Sequence, residues 1–119
     1  MSKPNIIKID DIEYVRKDSQ VEYPESNYRI VRSDRGGVFA GYLESIDYET
    51  KTAILKNARR IWYWAGAASL SQLAVDGTSK PENCKFPTPV DVEMLGVIEI
   101  LKVTETAKKS IESVGIWKK

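Results

Sequence analysis

The chain has 119 residues, 18 basic and 17 acidic side chains, a net charge of +1, one cysteine and no histidine. The balanced charge excludes a global field for nucleic acid or anionic membrane, so an anion site must be local. A lone Cys84 without histidine excludes an internal disulfide, a thiolate–imidazole pair and the usual zinc sets; neither a catalytic residue nor a metal or cofactor is expected.

The start, "MSKPNIIKIDD", is too polar for a signal peptide, and no apolar run reaches a membrane span. A cytosolic protein is expected. Residues 1–27 read as a leader of short alternating strands (Ile7, Ile9, Ile12, Tyr14) and a polar linker with Pro24. Residues 28–119 read as one domain.

"YRIVRS", residues 28–33, is a short strand, and "DRGG", residues 34–37, a turn in which glycine permits positive φ. "VFAGYLESI", residues 38–46, pairs with it, and Gly41 inside it suggests a bulge or a close backbone approach. After the turn "DYETK", residues 52–64 form a third strand. Period two puts Ile54, Lys56, Ala58, Arg60, Trp62 and Trp64 on one face, and Leu55, Asn57, Arg59, Ile61 and Tyr63 on the other. That leaves more apolar surface than two short helices can cover, and a second copy of the chain is expected to bury the rest.

"AASLSQLAVDG", residues 67–77, is a short helix with Leu70, Leu73 and Ala74 on one face and Gly77 as its stop. Residues 78–89 are a proline-rich loop. Residues 90–103 read as one strand, apolar on both faces from Leu95 to Leu101 and therefore central, with Glu99 paired to an arginine such as Arg59. Residues 104–114 are a helix capped by Thr104 and Gly115, with Ala107, Ile111 and Val114 buried. The expected fold is α+β, an antiparallel sheet of four to five strands with two short helices packed on it.

Two stretches carry ligand chemistry. "VRSDRGGVF" offers Arg32 and Arg35 as phosphate forks beside the backbone of Gly37, Val38 and Phe39. "ARRIWYWAGAAS" offers Arg59 and Arg60 for phosphate and Trp62 or Trp64 for stacking on a base. Gly66, Ala67 and Ser69 follow, with free N–H groups where the helix starts. Asn83 and Phe86, in the loop "PENCKFP", form a further wall. Each stretch has a plain alternative. Arginines solvate at turns, tryptophans anchor cores, and Cys84 behaves as a small buried hydrophobe.

The segments "VRSDRGGVFAGYLES", "NARRIWYWAGAASLSQLA", "NCKFPTPV" and "GVIEIL", in this order, resemble a family of small phage proteins. The pattern is similar to the phage Thoeris anti-defence proteins of the first type, over roughly residues 28–116. The resemblance implies a sponge for cyclic ADP-ribose isomers, the glycocyclic ADP-ribose signals made by bacterial TIR proteins. It implies action in the host cytoplasm, binding without cleavage and pockets shared between protomers. Such proteins form dimers that assemble further to hexamers, and some also take up cyclic oligonucleotides. The alternatives are a nucleic-acid-binding phage accessory protein, which the net charge disfavours, and an enzyme that hydrolyses the signal.

Overall fold

A three-residue turn at 34–36 folds the first two strands together. β1 (Tyr28–Ser33) and β2 (Gly37–Asp47) pair antiparallel across it, from Ser33↔Gly37 to Tyr28↔Tyr42. Gly37 has φ +87°, which glycine adopts without the Cβ penalty of other residues. β3 (Thr52–Arg60) returns against β2 after a turn in which the Asp47 carboxylate accepts the N–H groups of Glu49 and Thr50. This computed structural model describes residues 26–118; the expected strands and linker within 1–25 lie outside them.

The sheet has five strands, all neighbours antiparallel, with β3-β2-β1 in its middle. The strand expected over 90–103 is two: β4 (Val90–Leu95) and β5 (Val97–Lys102), split by Gly96 at φ +71°. They are the two edges of the sheet, not its centre. Because one residue joins them, the edges must meet, and the sheet curls on itself. The Asp34 N–H donates to the Gly96 carbonyl (3.0 Å) and the Val97 N–H to the Lys51 carbonyl (2.9 Å). The junction is thereby tied to both hairpin turns.

The curl creates two cores. Inside it lie Val31, Phe39, Ala53, Leu55, Ala58, Met94 and Val97. The other face carries Tyr28, Ile30, Ala40 and Ile61, under α1 (Leu70–Asp76) and α2 (Glu105–Ser113). Leu73, Ala74, Ala107, Ile111 and Val114 supply the helical side, as their spacing predicts, with Phe86 and the buried Cys84 from the loop. Each large apolar side chain fully buried here contributes about 2 kcal/mol. Thr104 caps α2 as expected; its other cap is Val114, one residue before Gly115.

The alternation expected over 52–64 fails at Asn57. That residue has φ +50°, its N–H donates to the Asp91 carboxylate at 3.0 Å, and the pairing registers shift beside it. Asparagine tolerates this conformation better than most residues. The extra residue reverses the parity of the strand. Leu55 and Ala58 therefore both face the inner core, and β3 ends at Arg60. Of the apolar residues read on this strand, Ala53, Leu55 and Ala58 are buried inside the curl and Ile61 under the helices, while Trp62 and Tyr63 remain exposed. Gly41 does mark a close approach: a Cβ there would sit 2.6 Å from Ala58 Cβ.

Candidate functional site

At the end of β3 the chain leaves the sheet beside the β1–β2 turn. A groove of about 400 Å³ lies between them, lined by Arg35, Gly36, Gly37, Val38, Arg60, Ile61, Trp62 and Trp64. Six of these were expected from the sequence as ligand residues: Arg35, Gly37, Val38, Arg60, Trp62 and Trp64. Gly36 and Ile61 join them as neighbours in the chain.

Two guanidinium groups serve this groove, and no carboxylate lines it. Arg60 is held from two sides: Nη1 donates to the Gly36 carbonyl at 3.0 Å, and the guanidinium carbon lies 4.4 Å from the centre of the Phe39 ring. Phe39 is buried, so its part is to support Arg60 rather than to meet a ligand. A Cβ on Gly37 would approach Arg60 Nη1 to 3.1 Å, so glycine keeps the guanidinium close to the turn. Arg35 is exposed at the turn. Trp62 is 64% exposed, far more than a core tryptophan would be. Trp64 is half-buried, and its indole N–H donates to the Ala67 carbonyl at 3.2 Å. The two rings thus do not share one environment, because β3 ends before them. Tyr63, between them, bridges to Lys85.

The same arginines border a second depression of about 490 Å³ across the turn, lined also by Asp34, Glu93 and Leu95. Sequence reading missed this wall, since it took 90–103 as one central strand.

The remaining expected ligand residues have other work. Arg59 is 5% exposed, and its guanidinium is saturated by main-chain carbonyls. Nε donates to Pro87 (3.0 Å), Nη1 to Val114 (2.8 Å) and Ile111 (3.4 Å), and Nη2 to Phe86 (2.6 Å) and Gly115 (3.2 Å). It closes the C-terminal end of α2, where free carbonyls attract a cation. Burial holds its pKa below the usual arginine value, partly offset by Tyr28. Phe86, fully buried, lies beneath that guanidinium at 5.6 Å. Arg32 pairs with Glu99 at 2.9 Å, so the arginine expected beside Glu99 is Arg32 rather than Arg59.

The small-residue run is filled by the protein itself. Gly66 faces the loop at 78–80, where a Cβ would meet Lys80 N at 2.5 Å, and Ala67 receives the Trp64 indole. Ser69 caps α1 by accepting the Gln72 N–H (3.1 Å), while Gln72 Oε1 accepts the Ala68 N–H (2.7 Å). This reciprocal cap occupies the N–H groups of Ala68 and Gln72, and Gly66, Ala67 and Ser69 lie outside the groove lining. Asn83 sits exposed in a short 3₁₀ turn, Pro81–Asn83, outside the groove lining.

A curled antiparallel sheet with two helices on one face and a cationic, aromatic groove at its first hairpin makes this a small α+β domain. The chain belongs to the family described as Domain of unknown function (DUF6948), whose model matches residues 26–111. No curated protein and no solved structure matches the chain. Among the described residues, no helix is long and apolar enough to cross a membrane, and no cluster of acidic or cysteine side chains is built for a metal ion.

Proposed function

We propose that the groove between the β1–β2 turn and Trp62 binds a flat, anionic nucleotide and holds it without chemical turnover. The observation that carries this reading is the convergence of Arg35, Arg60 and an exposed Trp62 in one groove without a lining carboxylate. Arginine forks suit a pyrophosphate, and an indole face suits a purine. Arg60 rests on Phe39 and the Gly36 carbonyl, so little ordering remains for binding to impose on it. A volume of about 400 Å³ falls within the range of small-molecule sites.

The resemblance to phage Thoeris anti-defence proteins narrows the ligand to a cyclic ADP-ribose isomer and the role to sequestration in the infected host. A sponge needs no acid–base machinery, and this groove offers neither a carboxylate nor a thiol. In the same reading the open side of the groove, where Trp62 stands in water, is covered by a second copy of the chain. The test is mass spectrometry of ligand released by heat from protein mixed with a TIR-enzyme product, with light scattering of the complex. Recovery of the intact cyclic nucleotide, from particles heavier than one chain, supports the sponge. Recovery of linear ADP-ribose makes the protein a hydrolase, and recovery of no nucleotide overturns the reading.

A further inference from the structure

A third depression, of about 520 Å³, lies between β5 and the β2–β3 hairpin and shares no lining residue with the two at the β1–β2 turn. Its floor is apolar. Leu43, Ile46 and Ile100 reach it as the outer members of the inner core. Two large side chains beside that floor stand in water: Tyr48 is 77% exposed and Ile98 52%.

The rim is cationic, with Arg29, Lys51 and Lys102. Arg29 and Lys102 are register partners on β1 and β5, two like charges set directly opposite one another. Such a pair is destabilising unless an anion joins it. Arg29 is fixed there by Nη1, which donates to the carbonyls of Ser26 (3.3 Å) and Tyr28 (2.9 Å). Glu99, the acid in the lining, is drawn away to Arg32 at 2.9 Å. Among the described residues no carboxylate lies within ion-pair distance of the three cations.

We infer that this depression binds an anionic amphiphile, a medium-chain fatty carboxylate. The carboxylate lies between Arg29 and Lys102 and removes their mutual repulsion. The chain runs over Leu43, Ile46 and Ile100 and covers Ile98 and Tyr48. Five residue steps along β5 lead from Val97 to Lys102, about 16 Å at the rise of a strand, which is room for such a chain. Neither half of the ligand suffices alone: a small anion leaves the floor wet, and an uncharged chain leaves the two cations opposed.

The experiment is calorimetric titration of the full chain with decanoate at pH 8, below its micellar concentration. Saturable binding of one decanoate per chain is expected, with decanol and butyrate each at least about tenfold weaker. Lys102→Gln and Arg29→Gln should each weaken decanoate about fivefold or more, since a tenfold change is about 1.4 kcal/mol and an ion pair supplies a large part of that. Lys56→Gln, remote from the depression, should change nothing. Circular dichroism checks each variant; Lys102 is exposed on an edge strand, so its variant carries the conclusion if Arg29→Gln unfolds. Absence of saturable heat, decanol or butyrate binding as well as decanoate, or an unaffected Lys102→Gln variant would each overturn the assignment.

Discussion

Replacing Arg59 by methionine should nearly unfold this protein while leaving the groove chemistry untouched. Three of the Arg59 hydrogen bonds, to Phe86, Val114 and Pro87, are at 2.6–3.0 Å. A bond to a charged donor is worth roughly 1.5–3 kcal/mol, so their gross loss is about 4–9 kcal/mol. Relief of the buried charge and the packing regained by methionine offset part of it, and a net loss of about 3–5 kcal/mol remains. For a domain of this size 1 kcal/mol shifts the melting temperature by about 4–8 °C, so the expected fall is about 12–40 °C. Arg59→Lys keeps the charge but lacks the planar fork, and should fall between methionine and the parent. Thermal unfolding by circular dichroism, with urea titration for the free energy, measures both. If Arg59→Met melts within about 5 °C of the parent, the guanidinium is not the clasp between β3, the 86–87 loop and α2.

Tyr28 makes stability fall at alkaline pH. Burial first, then the charges of Glu112 and Tyr42, raise its phenol well above the ordinary value near 10, and the fold therefore favours the neutral form. Its contribution is fully present below pH 10 and is lost as pH rises beyond it, by up to about 1.4 kcal/mol per pH unit. Tyr28→Phe should lose less stability than the parent between pH 8 and pH 11 in urea titrations; equal losses would refute the cause. Gly41→Ala should cost about 1–3 kcal/mol, because its Cβ would lie 2.6 Å from Ala58 Cβ and 2.7 Å from Ala58 Cα, so backbone must move. A melting temperature equal to the parent's would show that the strands can part there without cost.

The elements and their local signals were legible in the sequence. β1 runs over the expected 28–33, Gly41 marks a close approach, and Gly77 and Thr104 bound helices, although the first helix starts at Leu70 behind its Ser69 cap rather than at 67. Two single-residue events were not. Asn57 in a left-handed conformation reverses the parity of β3, so one alternation cannot run from Ile54 through Arg60, and the strand ends before the tryptophans. Gly96 turns one apolar run into two opposite edges, and only the pairing partners on β1 and β3 reveal it. For the groove, residue types pointed to the two stretches that line it but could not separate neighbours. Arg59 and Arg60 are chemically identical in the sequence; α2 and the 86–87 loop claim the first, and the β1–β2 turn leaves the second at the surface.

Calorimetric titration of a cyclic ADP-ribose isomer into the parent, Arg60→Ala and Trp62→Phe, each shown to be folded, tests the central claim most directly. Losing the Arg60 fork should cost about 2–5 kcal/mol of affinity, and exchanging the Trp62 indole for a smaller ring should cost less than the roughly 1–3 kcal/mol of a whole base stack. Saturable binding to the parent, weakened at least about thirtyfold in Arg60→Ala and to a smaller extent in Trp62→Phe, is the predicted result. Equal affinity in all three proteins would place the ligand elsewhere, and no binding to the parent would contradict the account.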